Sequence, residues 1–247
     1  MKNILLIGCS NLLGMHHAFR QVFQKTHSDA KMTQIGTYES SLVDNFAKYT
    51  NLSWPGAGNS FIRWRLFDFL EHERPDYVYL QFSGLVRRDF YFDIDNKGNF
   101  DTDRTDTTSS DKHIYMVGGN HKRATNPQEF KSVLKKLSYN FWNDNTNNWH
   151  SLQEIFCAIS VLEKLSIKHN WSIYYDPISP PTENTKMEGI IAKWPEFIDH
   201  SNKLSSPLNH AIDSGVDVPD GVHFGYDPFL KYLENNKSKI HLNFDDK

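Results

Sequence analysis

Cysteine is nearly absent from this sequence, with Cys9 and Cys157 the only two among 247 residues. One falls on a segment that reads as a buried strand and the other on an amphipathic helix. A disulfide-stapled framework is therefore excluded and reduced thiols are expected. An excess of charge is missing too, since 27 Lys and Arg face 30 Asp and Glu for a net charge of −3. No basic run is dense enough to hold an anionic membrane, and the electrostatic footprint of a nucleic-acid binder is not there, so no nucleic-acid partner is expected. No apolar stretch approaches the ~18–20 residues of a membrane span. The run at the start, Ile4 to Ile7, is too short for a secretory h-region of ~7–15 residues. Without a signal peptide the default expectation is a cytoplasmic protein, although packaging in a virus particle or non-classical export would leave no mark in the sequence. Internal repeats are also lacking.

What is present suits a folded domain. Hydrophobic residues make up 38% and charged residues 23%, enough apolar material for a real core. Ile4-Leu-Leu-Ile7 is a continuous apolar run closed by Gly8, the pattern of a strand buried on both faces of a parallel sheet. From Leu12 to about Lys25 apolar residues recur at helical spacing. Phe61 to Leu70 reads as a helix, Pro75-Asp76 as a break, and Tyr77 to Phe82 as a strand. Ser151 to about His169 carries Leu152, Ile155, Phe156, Ile159, Leu162 and Leu165 on one helical face, and Trp171 to Tyr175 follows as a strand. The repeated β-α-β order predicts one α/β domain over 1–247, a parallel sheet with helices on both faces, and ligands beyond the carboxyl ends of its strands. Residues 87–149 turn polar and are expected to form an insertion in this domain, suited to a lid beside a site.

Three short segments carry chemistry. In Gly8-Cys-Ser10-Asn11 a serine stands where a buried strand turns into a helix, so its hydroxyl would sit at the sheet edge with its N–H and the helix N-terminus toward a developing anion. A serine there also serves as an ordinary N-cap. In Trp54-Pro-Gly-Ala-Gly-Asn59 the glycines permit close backbone approach and leave N–H donors unshielded, while a plain strand-to-helix turn capped by Asn59 is the competing account. In Pro219-Asp-Gly-Val-His223-Phe-Gly225 a carboxylate three residues before a histidine can orient the imidazole and stabilise the imidazolium. An Asp-Gly turn with an incidental histidine, one of 12 in the chain, is the alternative.

Taken together in this order, the three segments resemble the blocks of the SGNH/GDSL hydrolase family. The resemblance implies a flavodoxin-like three-layer α/β/α sandwich with a central mostly parallel sheet. It assigns Ser10 as nucleophile, Asp220 and His223 as the other triad members, and the N–H groups of Ser10 and Gly56 as the oxyanion hole. Two positions depart from the family. Cys9 stands where the first block has aspartate, and Leu85, in Ser83-Gly-Leu-Val86, stands where the third block has its oxyanion-hole asparagine. Losing one such donor typically costs ~10²–10³ in turnover. The expected substitutes are Asn59, the Ser83 hydroxyl or the Arg87/Arg88 pair, all following segments that end at the same sheet edge.

The resemblance further implies an esterase acting through an acyl-enzyme on a small ester, such as O-acetyl on a sugar or polysaccharide, or a short-chain or lipid ester. It implies no cofactor and no metal. The alternative is an SGNH-like module that binds glycan or plays a structural part without catalysis. Trp54, Arg87 and Arg88 are the expected substrate-binding residues; Trp54 and the insertion's Trp142 and Trp149 are suited to stacking on a sugar ring, with packing under loops an equal alternative. Asp93-x-Asp95-x-Lys97-Gly98 begins like a calcium loop, but Lys97 and Arg104 replace oxygen ligands, which favours a hairpin turned by Asn-Lys-Gly. His16, His17, His113 and His121 have no zinc-binding spacing. Cys9 is expected to pack rather than react.

Overall fold

The computed structural model describes residues 1–24, 29–36, 38–85, 88–93, 113–118, 144–174, 200–218, 223–240 and 242. Its strands are β1 (Lys2–Gly8), β2 (Lys31–Gln34), β3 (Ser40–Val43), β4 (Ala47–Asn51), β5 (Tyr77–Phe82), β6 (Arg88–Asp93), β7 (His113–Gly118) and β8 (Lys168–Ile173). Its α-helices are α1 (His16–Phe23), α2 (Asn59–His72), α3 (Asp144–Lys164), α4 (Pro207–Asp213) and α5 (Tyr226–Asn236).

Successive side chains of a strand point to opposite faces, so a strand that buries apolar side chains on both faces must be covered twice. In β1, Ile4 and Leu6 enter one core cluster and Leu5 and Ile7 the other, all fully buried. In β5, Tyr77 and Tyr79 take the first face and Val78, Leu80 and Phe82 the second. The first face is covered by α1 through Ala18 and Phe19, by α4 through Leu208, and by α5 through Phe229 and Leu233. The second is covered by α2 through Ile62 and Leu66 and by α3 through Leu152, Ile155 and Ile159. The strand order is β2-β3-β4-β1-β5-β8, with β4, β1, β5 and β8 mutually parallel and β3 antiparallel to both its neighbours. This is the expected three-layer α/β/α architecture with a mostly parallel sheet.

Three local expectations are corrected. The first helix does not begin at Leu12: a 3₁₀ turn over Ser10–Leu12 comes first, Gly14 at φ +70° redirects the chain, and α1 starts at His16. The helix before the last strand ends at Lys164, not near His169. There Ser166 takes φ 53°, its N–H bonds to the Glu163 carbonyl, and the Ile167 N–H reaches the Leu162 carbonyl at 2.9 Å. That is a Schellman ending built without the usual glycine. The strand that follows is Lys168–Ile173, so it opens three residues before Trp171 and closes two before Tyr175. Within 87–149 the described residues form the β6–β7 ladder and the first turns of α3. Asp93 pairs with His113 in that ladder, and Asn96-Lys97-Gly98 lies outside the described residues.

The topology fixes where a site can form. The chain leaves β1 for β4 on one side, then crosses by way of α2 to β5 on the other, so β1 marks the topological switch point. Crevices open beyond the carboxyl ends at such points. Ser10, the segment 54–59 and Ser83 all lie just past the carboxyl ends of β1, β4 and β5.

Candidate active site

Gly8 is required where β1 ends. A Cβ there would lie 2.9 Å from the Gln81 Cβ and 3.0 Å from the Gln81 carbonyl oxygen, so only hydrogen lets β1 lie this close to β5. Cys9 follows in extended conformation, fully buried, with its thiol donating to Gln81 Oε1 at 3.5 Å, away from solvent. The turn over Ser10–Leu12 is closed by Leu12 N–H to the Cys9 carbonyl (3.0 Å) and Leu13 N–H to the Ser10 carbonyl (3.3 Å). It is held from the side by Asn51 at the end of β4. That buried side chain donates from Nδ2 to the Leu12 carbonyl at 2.7 Å and accepts the Ser53 N–H at 3.0 Å. Ser10 is not a helix cap. Its half-buried hydroxyl lies 2.8 Å from His223 Nε2, across 213 residues of sequence.

His223 is carried by a short extended segment running into α5, whose N-cap is Gly225. Phe224 is buried and stacks on Tyr174, just past β8, with ring centres 5.9 Å apart and planes 21° from parallel. Tyr226 donates its hydroxyl to Gln21 Oε1 on α1 at 3.0 Å. The histidine is thus anchored from the sheet through Phe224 and from the helix layer through Tyr226. For Nε2 to receive the hydroxyl proton, the imidazole must carry its own hydrogen on Nδ1. Asp220, three residues back, lies outside the described residues.

The second block is a tight turn tied to the first. Trp54 N–H donates to the Gly8 carbonyl at 3.0 Å, fixing the turn against the end of β1. Ala57 N–H returns to the Trp54 carbonyl at 3.1 Å, with Pro55 at the second position and Gly56 at φ +76° at the third. This arrangement is a type II turn, in which the third position requires the left-handed region and hence glycine. The partly buried Trp54 ring meets Tyr38 edge-on at 4.9 Å and Phe61 at 6.0 Å. Gly58, not Asn59, is the N-cap of α2.

Past the end of β5 both Ser83 and Leu85 are buried. Leu85 lies among the apolar residues between α2 and α3, and its carbonyl accepts the Ser151 hydroxyl at 2.5 Å. Ser83 turns to Asn59: the Asn59 Oδ1 accepts both the Ser83 N–H at 2.8 Å and its hydroxyl at 3.1 Å. Arg88 opens β6 opposite Gly118, and Arg87 lies outside the described residues.

The structure therefore brings Ser10 and His223 into contact, places the Gly56 turn against the same strand end, and joins Asn59 to Ser83. Sequence inspection missed Asn51, Phe224 and Tyr226. Only Phe224 and Tyr226 left a hint, as bulky residues flanking the glycine after His223. Among the described residues no group of three His, Cys, Asp or Glu side chains converges as a metal site. His16, at the start of α1, is buried against the Met32 sulfur at 3.0 Å. Burial, helped by His17, lowers its pKa to about 4, which keeps this imidazole neutral. No helix among the described residues is long and apolar enough to cross a membrane.

No protein-family model and no curated protein matches the sequence. Among solved structures, the chain is similar to the crystal structure of the psychrotrophic esterase EstA from a Pseudoalteromonas species, inhibited by monoethylphosphonate. The match covers 97% of this chain and 98% of that one, at 12% identity and a TM-score of 0.46.

Proposed function

We propose that this protein is a serine esterase of the SGNH/GDSL type, with Ser10 as nucleophile and His223 as general base. The observation that carries this is the Ser10 Oγ to His223 Nε2 contact of 2.8 Å, at the carboxyl edge of the sheet and at its switch point. A base must stand within about 2.6–3.2 Å of the proton it takes, and this one does so before any substrate binds.

In the proposed reaction His223 removes the Ser10 proton and the oxygen attacks the ester carbonyl carbon, whose π electrons move to oxygen. The N–H groups of Ser10 and Gly56 receive that anion. His223, then an imidazolium, returns the proton to the departing alcohol as the carbon–oxygen bond breaks and the acyl-Ser10 ester remains. Water, deprotonated by the same histidine, releases the acid and restores the serine. Asp220 has the role of orienting the histidine and stabilising its charge. The proposed substrate is a small ester, such as an O-acetyl group on a sugar or polysaccharide. Trp54, whose ring is only partly buried at the turn that bears Gly56, is suited to stack on a sugar ring.

Hydrolysis of p-nitrophenyl acetate and butyrate by the wild-type protein, beside Ser10→Ala and His223→Ala at matched folding, tests this. Turnover in the wild type that is lost in both variants supports the proposal. A folded wild type as inert as the variants would point instead to a non-catalytic module that binds glycan.

A further inference from the structure

The weak point of an esterase built on this chain is the third oxyanion donor, since Leu85 fills the core where an asparagine side chain would stand. Asn59 is the first residue of the fourteen-residue α2 and is 1% exposed. Its amide orientation is determined. The backbone N–H of Ser83 can only donate, so the atom 2.8 Å from it is the oxygen, and the Ser83 hydroxyl at 3.1 Å bonds the same atom. The Nδ2 group must then face the other way, and among the described residues it has no hydrogen-bond partner although it is buried. Buried donors are almost always satisfied, and those that are not call for an explanation such as a catalytic role.

The placement supplies one. Gly8 opposite Gln81 is the last paired position of β1 and β5, and Ser10 and Ser83 each stand two residues beyond it. Asn59 is bonded to the second of these. It also lies three residues after Gly56, in a turn whose Trp54 N–H is bonded to the Gly8 carbonyl. Its Oδ1 is therefore bonded to the residue that follows β5, after a turn whose backbone is bonded to the end of β1, and the side chain stands at the positive end of α2.

Resting on the esterase reading above, we infer that Asn59 Nδ2 is the third oxyanion donor, moved from the loop after β5 to the start of α2, and that Ser83 is the positioning residue that fixes its amide. The unpaired N–H is kept for the anion that forms only during acyl transfer.

Asn59→Asp keeps both acceptors for Ser83 and removes the N–H, while Asn59→Ala removes the whole amide. Both are expected to lower kcat for p-nitrophenyl acetate ~10²–10³-fold with KM changed less than about threefold. Ser83→Ala, which leaves the backbone N–H on Oδ1, is expected to lower kcat by a smaller factor at unchanged KM. In the Asn59→Ala background it should cost nothing further, because it acts only through that amide. The affinity of a boronic acid, whose tetrahedral adduct carries the anion, should fall in step with kcat/KM. An active wild type whose Asn59 variants, shown to be folded, keep kcat within threefold would overturn this inference and leave the esterase reading standing. A folded wild type with neither turnover nor labelling of Ser10 would remove the esterase reading itself.

Discussion

Replacement of Asn51 by alanine is the perturbation that best tests how the fold holds Ser10, the proposed nucleophile. Asn51 makes two buried hydrogen bonds, one to the Leu12 carbonyl at 2.7 Å and one from the Ser53 N–H at 3.0 Å. The Leu12 carbonyl keeps a second donor, the Met15 N–H at 3.2 Å, so it loses one net bond of about 1 kcal/mol. The Ser53 N–H sits in a residue with no exposed surface and is left without that acceptor, at about 1–3 kcal/mol. The sum is about 2–4 kcal/mol. For a chain of this size that corresponds to a fall in Tm of roughly 5–15 °C. The Ser10–Leu12 turn also loses its lateral tie, and a displacement of ~1 Å at a nucleophile can cost ~10² in rate. Urea denaturation should show a lower midpoint at unchanged slope, and esterase turnover should fall more than the folded fraction does. Asn51→Asp should be worse than alanine, because its carboxylate faces the Leu12 carbonyl. A midpoint change equivalent to less than 1 kcal/mol with full activity would refute the idea that this side chain holds the turn.

Other outcomes follow from the same contacts. Gly8→Ala should destabilise by about 1–3 kcal/mol and reduce turnover, since the new methyl meets backbone and side chain of Gln81 at 3.0 Å or less; a fully active, equally stable variant would show that β1 and β5 part without consequence. The buried pair of Arg65 on α2 with Glu39 beside β3 has side chains 5% and 2% exposed. Arg65→Met alone should cost about 3–5 kcal/mol by leaving a buried carboxylate, and Glu39→Leu added to it should recover most of that loss in thermal melts. For His16 the unfolded chain binds a proton near 6.5 that the folded chain refuses until about 4. The unfolded state therefore holds more protons in that window, and stability falls as pH drops from 6.5 toward 4, by up to about 3 kcal/mol. His16→Gln should flatten the denaturation midpoint over that range, and an unchanged slope would contradict the assignment.

Much of the sheet was legible because β1 and β5 are apolar on both faces, a pattern that only a doubly covered strand explains. The edge was not. In β2, Lys31–Gln34 is exposed throughout, and β3 and β4 bury Ser40, Ser41, Thr50 and Asn51 beside Leu42 and Tyr49, so neither shows an apolar run. Their order comes from pairing and from the Asp44 carboxylate, which accepts the Phe46 and Ala47 N–H groups at the β3–β4 turn. The end of α3 was misplaced because Ser166 adopts a left-handed conformation with no glycine to announce it. Ser10, Gly56 and His223 were legible as short motifs in a fixed order. What links them was not, since Asn51, Ser83 and Phe224 act through contacts that join residues 24 to 50 positions apart.

The measurement closest to the central claim is covalent labelling of the folded protein with a fluorophosphonate, followed by mass spectrometry of its peptides. One adduct is expected, on Ser10, absent from Ser10→Ala and formed far more slowly in His223→Ala. Equal labelling of Ser10→Ala, or no labelling of the folded wild type at all, would contradict it.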